Sequence, residues 1–467
     1  MKKLAILGGK PVRKKQFIVE PKINKEEFRL VNKAMKDVNF SRYVGSNNVN
    51  LKKHLKLTSI EAIKIKDKWN FLGGPNIRKF CYDFSKKFNT PYSIPVNSAT
   101  SALSVALASL NIGPGDEVIV PSISWTSSST SILLFNSIPR FVDIEEKTFC
   151  IDADKIEKSI NKRTKAILVV HLAGNIANMN KIMQIAKKHK LFVVEDVAQA
   201  PGCRLNGKLA GTIGDIGVFS FQQSKNIMTG EGGMIITKSV KVAEKARLII
   251  NHGEVYFDER SKIKDMINVI GQNFRMTEIS AALGIAQLKK LDFVNKWRLK
   301  NYNFLRKELS KIEGFSFAEI NKGHLRNAQI FPHMFVILYN EKKVGIKRDI
   351  FLKVLNSEGI TAGSGYQRPM YLNPIFTKKI AYGSKGYPWT HHGFKAKNYY
   401  VKKLCPVGEI LLSKKMIFMY QIAYSSNIND MKDIIKAVNK IILNKAKINS
   451  FFSKKKSLFI NQGRILN

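Results

Sequence analysis

The chain has 467 residues, enough to bury a substantial core and to fold as two or three units, and 44% hydrophobic with 24% charged residues excludes a disordered or fibrous protein. Lys and Arg outnumber Asp and Glu by 78 to 35, a formal charge of +43, but the excess is mostly lysine spread along the chain with no nucleic-acid-binding motif; it reads as a solvated surface, and nucleic acid is not an expected partner. The longest apolar runs are far too short to span a bilayer, and Leu4 to Leu7 meets Gly8-Gly9-Lys10 too soon for a signal peptide, so a cytoplasmic protein without membrane insertion is expected.

Residues 1–90 read as an N-terminal arm and helical entry segment, with a basic, weakly periodic insertion near 41–70 that looks like an added surface element. From about residue 91 to 299, short β-branched runs alternate with helical patterns, the mark of an α/β domain with a mostly parallel central sheet flanked by helices. The candidate strands are 117–120, 140–143, 166–170, 192–195, 217–221 and 234–237, with helices predicted at 101–110, 180–190 and 242–250. Residues 277–291, with Ile279, Leu283, Ala286 and Leu288, predict one long amphipathic helix leaving this domain. Residues 300–444 form shorter mixed segments, read as a smaller C-terminal α+β domain, and 445–467 is a basic tail. Cys81, Cys150, Cys203 and Cys405 lie far apart, without zinc-site or disulfide spacing, so they are expected to be reduced thiols and no metal is expected.

In open α/β sheets ligands sit beyond the carboxyl ends of the strands, so the residues there carry the most information. In Pro95-Val96-Asn97-Ser98-Ala99-Thr100-Ser101, small polar residues open an apolar helix; its free N–H groups with the Thr100 and Ser101 hydroxyls can cradle a phosphate, and Ser98 alone reads as a plain N-cap. Trp125 follows the next strand, where it could stack on a flat ligand or be core. Asp196 ends an apolar strand, where it could meet the pyridinium nitrogen of pyridoxal 5′-phosphate (PLP), bind Mg²⁺ or cap a helix. Ser220 and Lys225 precede Gly230-Glu231-Gly232-Gly233; a lysine in such a water-poor site can lose its proton and attack an aldehyde, although singly Ser220 is a turn serine and Lys225 one lysine among dozens.

Taken together these pieces resemble the sugar aminotransferases of the DegT/DnrJ/StrS type, fold-type I PLP enzymes. The matching segments run in family order over nearly the whole chain, from LAILGGKPVR at 4–13 through Gly113-Pro114-Gly115-Asp116-Glu117-Val118, Glu195-Asp196, Ser220 and Lys225 to His252-Gly253 and Gly271-Gln272-Asn273-Phe274-Arg275-Met276. The resemblance implies Lys225 as Schiff-base lysine, Asp196 at the ring nitrogen, Gln199 near the phenolic oxygen and Trp125 stacked on the ring, with Thr100, Ser101 and Ser220 on the phosphate. Ala99 stands in the same cofactor-binding segment where many relatives have glycine, and the loop at 254–270 is longer than usual. Asn273 is implied to reach the phosphate of a neighbouring subunit, hence a homodimer with shared active sites.

The implied reaction moves an amino group from glutamate or glutamine to a keto sugar, nucleotide-linked or a keto-cyclitol, in surface polysaccharide or secondary-metabolite biosynthesis. Lys225 argues against the dehydrating branch of the family, which carries histidine instead. A noncatalytic PLP-binding regulator and an aminohydroxybenzoate-synthase-like enzyme are the alternatives. Tyr366 and Arg368 are candidate acceptor contacts, the latter equally readable as an exposed Arg-Pro turn.

Overall fold

The β-branched runs between residues 92 and 237 form one seven-stranded sheet. The structure, a computed structural model, describes residues 3–18, 21–44, 51–253, 269–319, 322–391 and 399–461, without the side chains of 51, 52 and 454–461. Residues 45–50 of the basic insertion, 254–268 of the long loop and 462–467 of the tail therefore lie outside the described residues. The strands are β1 Tyr92–Val96, β2 Glu117–Pro121, β3 Ile138–Val142, β4 Thr164–Val170, β5 Phe192–Asp196, β6 Ile216–Ser220 and β7 Gly233–Thr237. Their order is β1-β7-β6-β5-β4-β2-β3, parallel throughout except that β7 runs against both its neighbours.

Both faces of this sheet are covered, which is why its central strands are apolar without alternation. Ile119, Ile167, Val169 and Val193 join one core with helices Pro75–Phe88 and Met179–His189. Their neighbours Val118, Val120, Leu168 and Val194 enter the other, with helices Ala99–Ser109 and Val240–Ile249. Phe219 and Phe221, on and just after β6, pack on Phe84 with ring centroids 5.0 and 5.9 Å away, which anchors the loop that follows.

The six predicted strands are present with ends shifted by one or two residues, and β1 is additional. Its Pro95 reads as a strand breaker, but β1 is an edge strand, where a missing N–H is tolerated, and Pro95 pairs in register with Met234. The helix predicted over 277–291 is present as Glu278–Lys289, and a second, Leu291–Leu309, follows it after Lys290 (φ −97°, ψ 4°). The first is not amphipathic, however: it is wedged between Lys25–Lys36 and Pro75–Phe88, and its Glu278 and Gln287 are buried and bonded. Glu278 accepts from the Asn76 N–H at 2.9 Å, and Gln287 donates to Glu27 at 2.8 Å.

A second sheet, β8 Phe315–Ser316, β9 Phe335–Tyr339 and β10 Met416–Met419, is antiparallel in that order. It shares a third core with helices Leu291–Leu309, Arg348–Ser357 and Ile428–Leu443. The N-terminal arm completes that core: Leu4 is buried in it, and the buried carboxylate of Glu358 accepts from the N–H groups of Ala5 (2.9 Å) and Val12 (3.0 Å) and pairs with Lys440 (2.8 Å). Tyr371, Phe376, Trp389 and Leu411 return instead to a core of the large sheet.

The described part of the 41–70 segment is built into the molecule. Leu55 packs with Phe71 and Leu248, and buried Arg247 donates to the carbonyls of His54 and Leu55. In the tail, helix Lys445–Asn461 buries Ile448 in the third core. All four cysteines are free and buried, and burial raises each thiol above its ordinary pKa. Among the described residues no helix is long and apolar enough to cross a membrane.

Candidate active site

Strands β2, β5 and β6 end on one edge of the sheet, and the chain segments leaving them surround a cleft of about 430 Å³. β5 delivers two adjacent carboxylates to opposite faces, as the pleat requires. Glu195 is pinned inside the protein, accepting from the N–H groups of Gly211 (2.9 Å), Ile213 (2.8 Å) and Gly214 (2.6 Å) and paired with His171 Nε2 (3.0 Å). Asp196 lines the cleft, accepting from Ser128 Oγ at 3.0 Å and the Ala198 N–H at 3.1 Å. Burial raises its pKa despite those bonds and the nearby Lys225 and His171, so it is a carboxylate that a cation across the cleft would stabilise.

Lys225 lies in the loop after β6. The loop folds back on itself, with the N–H of Phe221 bonded to the Gly232 carbonyl and that of Gln223 to the Gly230 carbonyl, both at 2.8 Å. It also presses on the start of helix Ala99–Ser109: a Cβ on Gly233 would fall 2.8 Å from the carbonyl carbon and oxygen of Ser98. The lysine is partly accessible, but its amine is enclosed. Desolvation pulls its pKa to about 8, Arg298 lowering it further and Asp196 opposing, so an appreciable fraction of the amine is neutral and nucleophilic near neutrality.

The helix start supplies another wall. Ser98 caps it, its Oγ accepting from the Ser101 N–H at 3.1 Å, while Ala99 and Thr100 line the cleft at the positive end of the helix, opposite Ser220. Trp125 is 68% exposed at the mouth, an unusual position for so large a ring, and meets Tyr366 edge-on with centroids 6.5 Å apart. Gln199 is held at both ends: Oε1 accepts from the Ala173 N–H at 2.7 Å, and Nε2 donates to the Tyr366 hydroxyl at 3.1 Å. Burial pushes the Tyr366 hydroxyl well above its usual pKa.

Of the residues singled out in the sequence, Ala99, Thr100, Trp125, Asp196, Gln199, Ser220, Lys225 and Tyr366 share this cleft. Three do not. The Ser101 hydroxyl turns away to donate to Asn97 Oδ1 at 2.7 Å, Asn273 is exposed and accepts from Arg275 Nε at 2.9 Å, and Arg368 is exposed and lines no cleft here.

His333, Tyr420 and Ser128 were not anticipated, and only Ser128 had a local signal, the run of hydroxyls after Trp125. His333 is buried, and desolvation, with Lys225 and Arg298 nearby, holds its pKa well below the usual histidine value, so the imidazole is neutral.

An outer cleft of about 550 Å³ adjoins the first and shares Trp125, Ser224, Tyr366 and Tyr420 with it. Its other walls come from Gln16 and Phe17 of the N-terminal arm and from residues beyond 297, among them Phe418 and Gln421. Among the described residues no cluster of His, Cys, Asp or Glu is arranged to hold a metal ion. The inner cleft suits a flat aromatic phosphate carrying an aldehyde: it offers a poised amine, a buried carboxylate in need of a cation, an open indole face and a helix start ringed by hydroxyls.

The model of the DegT/DnrJ/EryC1/StrS aminotransferase family matches residues 53–396. The GDP-perosamine synthase of Caulobacter vibrioides is 36% identical over 307 residues, 64% of this chain and 80% of that protein. The L-glutamine:2-deoxy-scyllo-inosose aminotransferase of Streptoalloteichus tenebrarius is 30% identical over 378 residues, 78% of this chain and 85% of that protein. Among solved structures, the aminotransferase from Psychrobacter cryohalolentis superposes with a TM-score of 0.74 at 25% identity, covering 92% of this chain and all of that one.

Proposed function

Because the chain belongs to the DegT/DnrJ/EryC1/StrS aminotransferase family and is a PLP-dependent aminotransferase, we propose that it carries an amino group from glutamate or glutamine to a keto sugar, with Lys225 as the residue that bonds the cofactor. The observation that carries this reading is the placement of the Lys225 amine and the Asp196 carboxylate in one cleft, close enough that each acts on the other's pKa.

When bound, PLP supplies a protonated ring that draws off the electrons left on the substrate carbon when its proton departs. Asp196 would hold the proton on the ring nitrogen, itself oriented by Ser128 and the Ala198 N–H. The Lys225 amine, once displaced by the incoming amino donor, would take the proton from the donor's α-carbon and deliver it to C4′ of the cofactor; with the acceptor it would work in the reverse direction. Ala99, Thr100 and Ser220 would hold the phosphate, Trp125 would cover one ring face, and Gln199 would stand at the phenolic oxygen. Ser101 would have no direct hold on the phosphate, since its N–H is given to Ser98 Oγ and its hydroxyl to Asn97.

Asn273 sits outside its own cleft on an exposed segment beside Asn97, which supports a role at the phosphate of a second copy in a homodimer. One relative is named for GDP-perosamine as product and another for glutamine as donor with an inosose as acceptor, which favours a nucleotide-linked keto sugar or a keto-cyclitol as acceptor here, with Tyr366 among its contacts.

The test is spectroscopic. The purified protein has a visible absorbance that bleaches with glutamate or glutamine and returns with the right acceptor from a panel of keto sugars and cyclitols. The band is absent in Lys225→Ala; an unchanged spectrum in that variant would overturn the assignment.

A further inference from the structure

Arg298, on helix Leu291–Leu309, is 5% exposed and has no ion-pair partner among the described residues. One terminal nitrogen donates to the His333 carbonyl at 2.7 Å and the other to the Ser224 carbonyl at 3.4 Å, while Nε has no partner among the described residues. A guanidinium carries five N–H donors in a rigid fork, so most of its capacity is unspent. Burying a cation in this state is costly unless an anion arrives to complete it. Arg298 lines the outer cleft, where it is the one charged residue among the described lining residues, and the carbonyl it holds belongs to the residue before Lys225.

We infer that Arg298 seats the α-carboxylate of the amino donor, an inference that rests on the aminotransferase reading of the cleft. Glutamate and glutamine differ at the far end of the side chain and share the α-amine and α-carboxylate. The α-amine must reach the carbon held by Lys225, so the α-carboxylate, one carbon away, must lie within a few ångströms of it; the fork of Arg298 fits that group in charge and shape. The same cleft holds the complementary orphan: Gln421 Nε2 donates to the Thr361 carbonyl, leaving its buried Oε1 without a partner among the described residues and able to accept a donor N–H.

The experiment pairs two donors with two proteins. Glutamine and its α-carboxamide are titrated against the holoenzyme, following the visible band, and the non-reactive dicarboxylate glutarate is titrated by calorimetry. In the wild type, amidation of the α-carboxylate raises the half-saturating concentration roughly 10- to 100-fold, the worth of a charge-assisted hydrogen-bond pair. In Arg298→Gln the two donors converge near the wild-type value for the amide, and glutarate binding weakens by a similar factor.

Arg298→Lys keeps the charge without the fork and falls between the two, which covers the case in which Arg298→Gln does not fold. Equal response of the wild type to both donors, or undiminished discrimination in the variants, overturns the inference. So does a variant that binds donors normally but loses a nucleotide-linked acceptor, which would place a phosphate at Arg298 instead. A wild type with no band, or none that glutamine bleaches, defeats the aminotransferase reading rather than this one; the calorimetric comparison of glutarate still reads Arg298.

Discussion

Lys225→Met, made in the cofactor-free protein, isolates what it costs this fold to hold a bare amine in its cleft. The folded pKa is about 8 against an ordinary 10.5, a difference of 2.5 units that corresponds to about 3 kcal/mol. Below about pH 8 the lysine is protonated in both folded and unfolded states, and the folded state bears the whole penalty. As pH rises toward 10.5 the folded amine stays neutral while the unfolded one still binds a proton, and the penalty shrinks. Methionine fills the same space without charge, so it stabilises the apoprotein by about 3 kcal/mol at pH 7, about 2 at pH 9 and under 1 at pH 10. Partial solvent access to the lysine trims the first figure to between about 1 and 3 kcal/mol. The assay is chemical denaturation of both apoproteins at pH 7.5 to 10, a window chosen because the removed charge also raises the pKa of Asp196 and so disturbs more acidic conditions. His333 stays neutral throughout, and burial lowers Arg298 to about 10, so its charge begins to fall only at the top of the window. A stability difference that does not change across that window would refute the claim that desolvation poises this amine.

The two carboxylates of β5 should separate cleanly. Glu195→Ala strands three N–H groups and His171, costs at least about 3 kcal/mol and shows as a lowered melting temperature. Asp196→Asn leaves the melting temperature of the apoprotein nearly unchanged or slightly raised, since a carboxylate disfavoured by burial is removed, yet slows bleaching by the donor at least about 100-fold. Gly233→Ala drives a methyl group against Ser98, costs about 1 to 3 kcal/mol and weakens cofactor retention measured by equilibrium dialysis, because the lysine loop and the helix start are forced apart. Ser128→Ala leaves one oxygen of Asp196 without its hydroxyl partner and weakens cofactor retention by about 1 kcal/mol with little change in melting temperature.

What the sequence disclosed and what it concealed follow from the range of the interactions concerned. Asp196, Ser220 and Lys225 stand at or just beyond strand ends, and short-range pattern suffices to place them at the carboxyl edge of a parallel sheet. Strand β1 was hidden by Pro95, because a residue's tolerance of proline depends on edge position, which is a property of the finished sheet. The break at Lys290 and the burial of Glu278 and Gln287 depend on helices from the first ninety residues closing over the next one. Arg298, His333 and Tyr420 lie 73, 108 and 195 residues after Lys225 (298 − 225, 333 − 225 and 420 − 225), and no local period connects them to it. The direction of the Ser101 hydroxyl turned on a side-chain contact to Asn97 that competes with an outward orientation.

The walls of the two clefts also impose an order in time. Lys225 leaves the ribosome 196 residues before Gln421 (421 − 225), an interval of roughly 10 to 40 s at ordinary elongation rates. During it the seven-stranded sheet has all its strands, so the amine, Asp196 and the helix start can already stand together. Tyr366, Phe418, Tyr420 and Gln421 do not yet exist, and Phe17 of the N-terminal arm has only part of its cleft to close over. The amine and the carboxylate are thus made well before the residues that complete both clefts, and the walls close only with the last strand of the second sheet.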